Sequence, residues 1–192
     1  MRVKVGVMGS AGGELSDAAL QQAYRLGQCC GRLGLVTLTG ACPGLPHQAA
    51  LGAKAEGGLL IGVSPALSLD EHIHRYRSPY QEYDVLIFTG SGLMGREIVS
   101  IRSCDLVLIV GGRSGTLGEF AIAYDEGKII GVLEGSGGVA DHIREVVSIV
   151  SKRTRAEVHY DQDPEQLMQR LLDSFQQRVV AGTAYLSPQA DG

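Results

Sequence analysis

The chain has 192 residues, of which 44% are hydrophobic and 20% are charged, and this composition excludes an intrinsically disordered protein. Its net charge of −4 argues against a nucleic-acid partner, because a phosphate backbone is bound by a basic surface. The four cysteines form no CxxC pair and no Cys/His cluster at zinc spacing, and no apolar run is long enough to span a membrane. We therefore expect a cytoplasmic protein with no metal site, no nucleic-acid partner and no membrane partner.

Short apolar runs alternate with longer stretches of helical pattern along the chain. Six of these runs predict β-strands, at residues 3–8, 35–38, 59–63, 85–88, 106–110 and 129–133. Because the runs are continuously apolar, they indicate strands buried on both faces, as in a parallel sheet with helices on each side. The predicted fold class is α/β: one Rossmann-like, doubly wound parallel sheet of about six or seven strands, in a single nucleotide-binding domain over residues 1–180. A flexible C-terminal tail is predicted at residues 181–192.

Two helices are predicted between the first three strands, and a polar insertion follows the third. Ser16 is placed to cap a helix that runs to about Arg32, and a second helix is predicted at about residues 47–56. Residues 67–84 form the long polar insertion, which could cover a site. We interpret its histidines, His72 among them, as loop residues rather than metal ligands.

Three glycine-rich loops follow predicted strands, at residues 9–14 (GSAGGE), 39–44 (TGACPG) and 111–116 (GGRSGT). In open parallel sheets, ligands bind beyond the carboxyl ends of the strands, where the following helix N-termini favour phosphate. The loops match neither the dinucleotide fingerprint GxGxxG nor a Walker loop, which argues against an NAD enzyme and a Mg²⁺-dependent ATPase. The predicted phosphate- or nucleotide-binding residues are Gly9, Ser10, Gly40, Gly44, Gly111, Gly112, Arg113, Ser114, Gly115 and Thr116.

Glu119 has two interpretations. It lies three residues after Thr116, which is predicted to be the N-cap of the helix that follows the third loop, so that the two residues would form a capping box. A carboxylate in the first turn beside a phosphate site is also well placed as a general base or a ribose ligand. The residues alone leave both interpretations open.

The stretch GGRSGTLGE at residues 111–119 resembles the PGGxGTxxE signature of the LOG-like (SLOG) superfamily, formerly called lysine decarboxylase-like. Aligned without gaps from this signature, the family's Arg in a MHxRK-type helix motif falls on Arg96. The resemblance covers about residues 1–135 and implies a Rossmann-like fold and a homodimer or homotetramer. Four positions depart from the pattern: Gly111 replaces a Pro, Arg113 a Gly, Glu97 a Lys and Gly118 a Glu.

The resemblance implies two alternative functions. In the family's cytokinin-activating phosphoribohydrolases, the residues that correspond to Arg96 and Glu119 are the catalytic pair. They act on the N-glycosidic bond of a nucleoside 5′-monophosphate, without a required cofactor. The alternative, similar to the family's molybdenum-cofactor carriers, is a non-catalytic carrier or sensor of an AMP-like nucleotide or of the molybdenum cofactor. The retained Arg96 and Glu119 favour the enzyme, whereas the departures from the motifs favour the carrier.

Overall fold

The apolar runs form one sheet of seven parallel strands in the computed structural model of this chain, which describes residues 1–185. The order across the sheet is β4-β3-β2-β1-β5-β6-β7, and every neighbouring pair is parallel. In chain order, the strands are β1 (Lys4–Gly9), β2 (Val36–Thr39), β3 (Leu59–Ser64), β4 (Val85–Phe88), β5 (Leu106–Val110), β6 (Ile129–Leu133) and β7 (Glu157–Asp161). The predicted α/β fold is therefore confirmed.

Helices cover both faces of the sheet. In chain order, they are α1 (Asp17–Arg32), α2 (Leu45–Ala55), α3 (Leu69–His74), α4 (Gly92–Arg102), α5 (Ser114–Asp125), α6 (Ile143–Val150) and α7 (Pro164–Val180). Alternate residues of β5 contribute to two separate cores: Leu106 and Leu108 pack with residues of α1 and α7, whereas Val107 and Ile109 pack with residues of α4 and α5. This two-sided burial explains why the central strands are apolar at every position.

The local predictions have mixed outcomes. The Ser16 hydroxyl accepts a hydrogen bond from the Ala19 N–H at 3.2 Å, as predicted for the cap of α1. The predicted Thr116 cap is wrong, because Arg113 is the N-cap residue of α5 and Thr116 lies inside the helix. Gly112 adopts a φ of 110°, which turns the chain early enough for the helix to begin at Ser114. The capping box between Thr116 and Glu119 is therefore absent.

The polar insertion is more ordered than predicted. It contains the short helix α3, and His72 is fully buried rather than part of an open loop. Its Nδ1 lies 2.8 Å from the Ser64 hydroxyl and its Nε2 lies 3.0 Å from the Pro79 carbonyl oxygen. The first bond holds the insertion against the end of β3, and the second joins α3 to a later part of the insertion.

The described residues end shortly after the last helix. α7 ends at Val180, whereas the tail predicted at 181–192 extends beyond the described residues and stays a prediction. Among residues 1–185, none of the helices has the length and apolar character needed to cross a bilayer.

Candidate functional site

The candidate site lies at the carboxyl ends of the central strands. The chain proceeds outward from β1 to β4 on one side and then crosses to β5 on the other, so the strand order reverses at β1. Ligands of open α/β sheets bind at this kind of switch point. A pocket of about 250 Å³ opens there. Nine of the predicted site residues line it: Gly9, Ser10, Gly40, Arg96, Arg113, Ser114, Gly115, Thr116 and Glu119.

Three predicted residues support the loops instead of lining the pocket. Gly44 is the N-cap residue of α2 at a φ of 77°, where a side chain would collide with the Ser10 carbonyl oxygen. The Gly111 N–H donates to the Ser136 hydroxyl at 2.8 Å, and the Gly112 N–H donates to the Ser10 hydroxyl at 3.0 Å. The N–H groups of Gly111 and Gly112 are thus engaged within the protein.

The N-terminus of α5 forms the electropositive end of the pocket. Its first backbone hydrogen bond runs from the Leu117 N–H to the Arg113 carbonyl oxygen, and the Arg113 side chain makes no capping bond. The N–H groups of Ser114, Gly115 and Thr116 therefore have no acceptor within the helix. Together with the helix dipole and the Arg113 guanidinium, they suit an anion.

Arg96 is a buried cation at the base of the pocket, only 8% exposed. Its Nη1 donates to the Gly40 and Val63 carbonyl oxygens, the latter at 3.0 Å. A Cβ at position 40 would overlap the guanidinium, so glycine is needed there. Arg96 makes no surface ion pair among residues 1–185, because these bonds tie its side chain to the ends of β2 and β3. Its buried Nε has no hydrogen-bond partner within the described part of the chain.

Two buried carboxyl groups share this pocket. Glu119 is 7% exposed, and burial raises its pKa to about 8, against the opposing effect of the Arg96 guanidinium. Glu97 is 5% exposed, and burial raises the pKa of this carboxyl as well. Neither carboxyl makes a hydrogen bond or an ion pair with any residue in the range 1–185. Arg96 and Glu119 therefore share a pocket without forming a direct ion pair.

Several residues that line the pocket were not predicted from the sequence as site residues: Glu97, Cys42, Leu93 and Met94. From the sequence, Glu97 stands out only as a departure from the family motif. It directly follows Arg96, and the predicted strand at residues 106–110 begins about one helix length later. Cys42 is a free cysteine, and burial raises the pKa of its thiol. Leu93 and Met94 line the outer edge of the pocket from the first turn of α4, where they are 58% and 66% exposed.

The chain matches a known protein family and resembles individual proteins of known sequence. The model of the SLOG cluster4 family matches residues 2–168. An uncharacterized protein of Archaeoglobus fulgidus is 32% identical over 133 residues, which cover 69% of this chain and 80% of the relative.

Three solved structures resemble this one along most of the chain. TM1055 aligns with a TM-score of 0.77 and 26% identity, covering 89% of this chain and 99% of that one. The molybdenum cofactor binding protein of Rippkaea orientalis has a TM-score of 0.74 and 28% identity, covering 91% and 97%. The molybdenum cofactor carrier protein of Chlamydomonas reinhardtii has a TM-score of 0.73 and 27% identity, covering 90% and 99%.

Proposed function

Because the chain belongs to the SLOG cluster4 family, we propose that it binds a small phosphorylated, nucleotide-like ligand in the pocket beside β1. One observation carries this proposal. The N–H groups at the start of α5 open into a pocket that also contains a buried arginine and two carboxyl groups, neither of which has a hydrogen-bonding partner among residues 1–185. Such a pocket offers free N–H donors and cations to an anion, together with carboxyl oxygens that accept hydrogen bonds. It suits a ligand that carries a phosphate as well as N–H or O–H donors.

The phosphate is assigned to the N–H groups of Ser114, Gly115 and Thr116, with Arg113 at the side. Gly115 and Glu97 line the same pocket, and a Cβ at position 115 would lie 3.4 Å from Oε1 of Glu97, so a branched side chain there would crowd the pocket. Gly115→Val is therefore expected to abolish binding of ribose 5-phosphate in calorimetry. Gly12→Val is the matched control, since a Cβ at Gly12 would meet no atom within 4 Å. Normal binding by a folded Gly115→Val variant would contradict the assignment.

Hydrolysis of a nucleoside 5′-monophosphate is the candidate activity of this site. In this reaction, water forms a bond to the anomeric carbon, and the base leaves with the electron pair of the N-glycosidic bond. Glu119 holds its proton at pH 7 because burial raises its pKa to about 8, so it can protonate the departing base, and the proton that the attacking water releases then restores the carboxyl group. The Arg96 guanidinium, held by backbone carbonyls, is placed to stabilise negative charge on the ligand.

A carrier or sensor is the second candidate, and it is supported by the structural neighbours that bind or carry the molybdenum cofactor. That cofactor is a phosphorylated pterin, so it would use the same anion site at α5. The two candidates differ in one measurement. An enzyme releases free base from AMP or another 5′-monophosphate, whereas a carrier binds its ligand and leaves it intact.

We also propose that the chain forms a homodimer or homotetramer through the apolar surface at the outer edge of the pocket. Leu93 and Met94 of α4 are more than half exposed, and Val85 and Ile87 of the edge strand β4 are 45% and 43% exposed. Large apolar side chains are thus exposed on two elements that follow each other in the chain, and exposed apolar surface on a monomer marks an interaction site. A second copy seated there would also close the outer wall of the pocket.

A further inference from the structure

Glu97 is an acidic residue in a pocket that otherwise suits an anion. The residue is only 5% exposed, and its carboxyl group makes no hydrogen bond or ion pair with any residue in the range 1–185. Leaving a buried polar group unpaired is costly, and such groups in native proteins have a specific reason. Glu97 lines the same pocket as Ser114, Gly115 and Thr116, whose N–H groups are free. A ligand in this pocket is therefore the candidate partner of the carboxyl group.

The Glu97 carboxyl group lies along the first turns of α5. A Cβ at Gly115 would lie 3.4 Å from Oε1 of Glu97, and a Cβ at Gly118 would lie 3.0 Å from Oε2. The missing side chain at Gly118 thus makes room for the acid that α4 provides. Where the family pattern has a Lys, this chain therefore places an acid, next to the helix end to which the phosphate is assigned.

An ionised carboxylate and a phosphate dianion cannot bond to each other directly. Both offer only acceptor oxygens, and their charges repel. One proton between the two oxygens turns the contact into a charge-assisted hydrogen bond, whichever oxygen carries it. Burial already raises the pKa of the Glu97 carboxyl group, and an anion bound beside it acts in the same direction. A phosphate at α5 therefore favours a proton at this contact.

We infer that Glu97 and the bound phosphate share one proton, so that a phosphate monoester binds to the ionised site with uptake of a proton from solution. The inference rests on the proposed function, because it takes the phosphate to lie at the start of α5. It makes the affinity of the site sensitive to pH. Phosphate binds tightly while the proton is available and more weakly as the pH rises.

Four other charged or titratable side chains line the pocket: Arg96 on α4, Arg113 and Glu119 at the start of α5, and Cys42 in the loop after β2. The two guanidinium groups keep their charge at every pH used below. Burial raises the pKa of the Cys42 thiol, which therefore stays mostly protonated below pH 9. Glu119, with a pKa of about 8, ionises within the range of interest. The experiment must therefore separate the two acids.

Calorimetric titration with ribose 5-phosphate between pH 6 and pH 9 tests the inference. Each titration is repeated in buffers of different ionisation enthalpy, which gives the number of protons taken up per ligand bound. We expect the maximum uptake by the wild type to exceed that of Glu97→Gln by about one proton. A glutamine amide donates to phosphate without a proton from solution. At pH 9, Glu97→Gln should therefore bind at least about tenfold more tightly than the wild type.

Glu119→Gln assigns the proton to one of the two acids. The difference between Glu and Gln at position 97 should persist when residue 119 is Gln. If the difference disappears in that background, the proton belongs to Glu119 and the inference is wrong. Glu145→Gln, on the exposed surface of α6, is the control and should behave like the wild type at every pH.

Several results would overturn the inference while leaving the phosphate site intact. They are a wild type that takes up no proton at any pH, equal uptake by the wild type and Glu97→Gln, or weaker binding by the folded variant at every pH. A requirement for added Mg²⁺, abolished by EDTA, would also overturn it, because a cation would then bridge the two anions. If ribose 5-phosphate fails to bind to the wild type at every pH, the phosphate site itself is wrong, and the proposed function falls with the inference.

Discussion

Replacing Glu119 with glutamine should stabilise the protein in a pH-dependent manner. In the folded chain, burial raises the pKa of this carboxyl from 4.5 to about 8. At a pH between these two pKa values, the Glu119 carboxyl releases its proton in the unfolded chain and keeps it in the folded chain. The wild type therefore loses stability as the pH rises. The loss reaches about 3 kcal/mol at pH 7 and about 5 kcal/mol above pH 8. Glutamine has a similar shape and no ionisation, so Glu119→Gln avoids this loss.

Urea unfolding of the wild type and of Glu119→Gln, followed at pH 4, 7 and 8.5, measures the effect. We expect the two proteins to be equally stable at pH 4 and the variant to be increasingly more stable as the pH rises. Glu145→Gln, on the exposed surface of α6, should show no such trend. A stability difference that does not change with pH would refute the reasoning, because it would mean that Glu119 ionises normally in the folded protein.

Two further predictions concern activity and assembly. If the wild type releases base from a 5′-monophosphate, Glu119→Gln should lower the rate about a hundredfold or more and retain nucleotide binding, as measured by chromatography of the free base and by calorimetry. Unchanged release of base by the variant would mean that Glu119 takes no part in the reaction. If the wild type binds AMP tightly and releases no base, the carrier is favoured. Leu93→Asp should shift the chain to a monomer in light scattering, because it places a charge on the exposed apolar surface of α4. A wild type that is itself monomeric would contradict the proposed interface.

The sheet was predictable because its central strands are buried on both faces. The run LVLIV of β5 has no polar residue, which is typical of that environment. β7, with the sequence EVHYD, was missed because it is an edge strand whose residues are all half-buried and include three polar ones. The start of α5 was misplaced because a Thr-x-x-Glu spacing is only a local signal, whereas the turn at Gly111 and Gly112 determines where the helix begins.

The position of the site could be predicted from the sequence, but the chemistry of its side chains only in part. The glycine loops and the motif residues Arg96 and Glu119 lead to the pocket, because they follow the strands whose ends meet there. The position of the Glu97 carboxylate depends on how α4 packs against α5, which no local pattern of residues specifies. The signal available in the sequence was the pair of glycines at 115 and 118, which leave space on one side of a helix for a neighbouring side chain.

The hydrogen bond from the Gly112 N–H to the Ser10 hydroxyl has a consequence for binding kinetics. It joins the loop after β1 to the loop after β5 across the crevice. The hydrogen bonds from Arg96 to the Gly40 and Val63 carbonyl oxygens fix the ends of β2 and β3 beside these loops. The protein's own bonds therefore set the spacing of the binding groups, and little chain entropy is lost when a ligand enters. Association should then proceed at a rate limited by diffusion and orientation rather than by loop closure, with differences in affinity between ligands appearing in their dissociation rates.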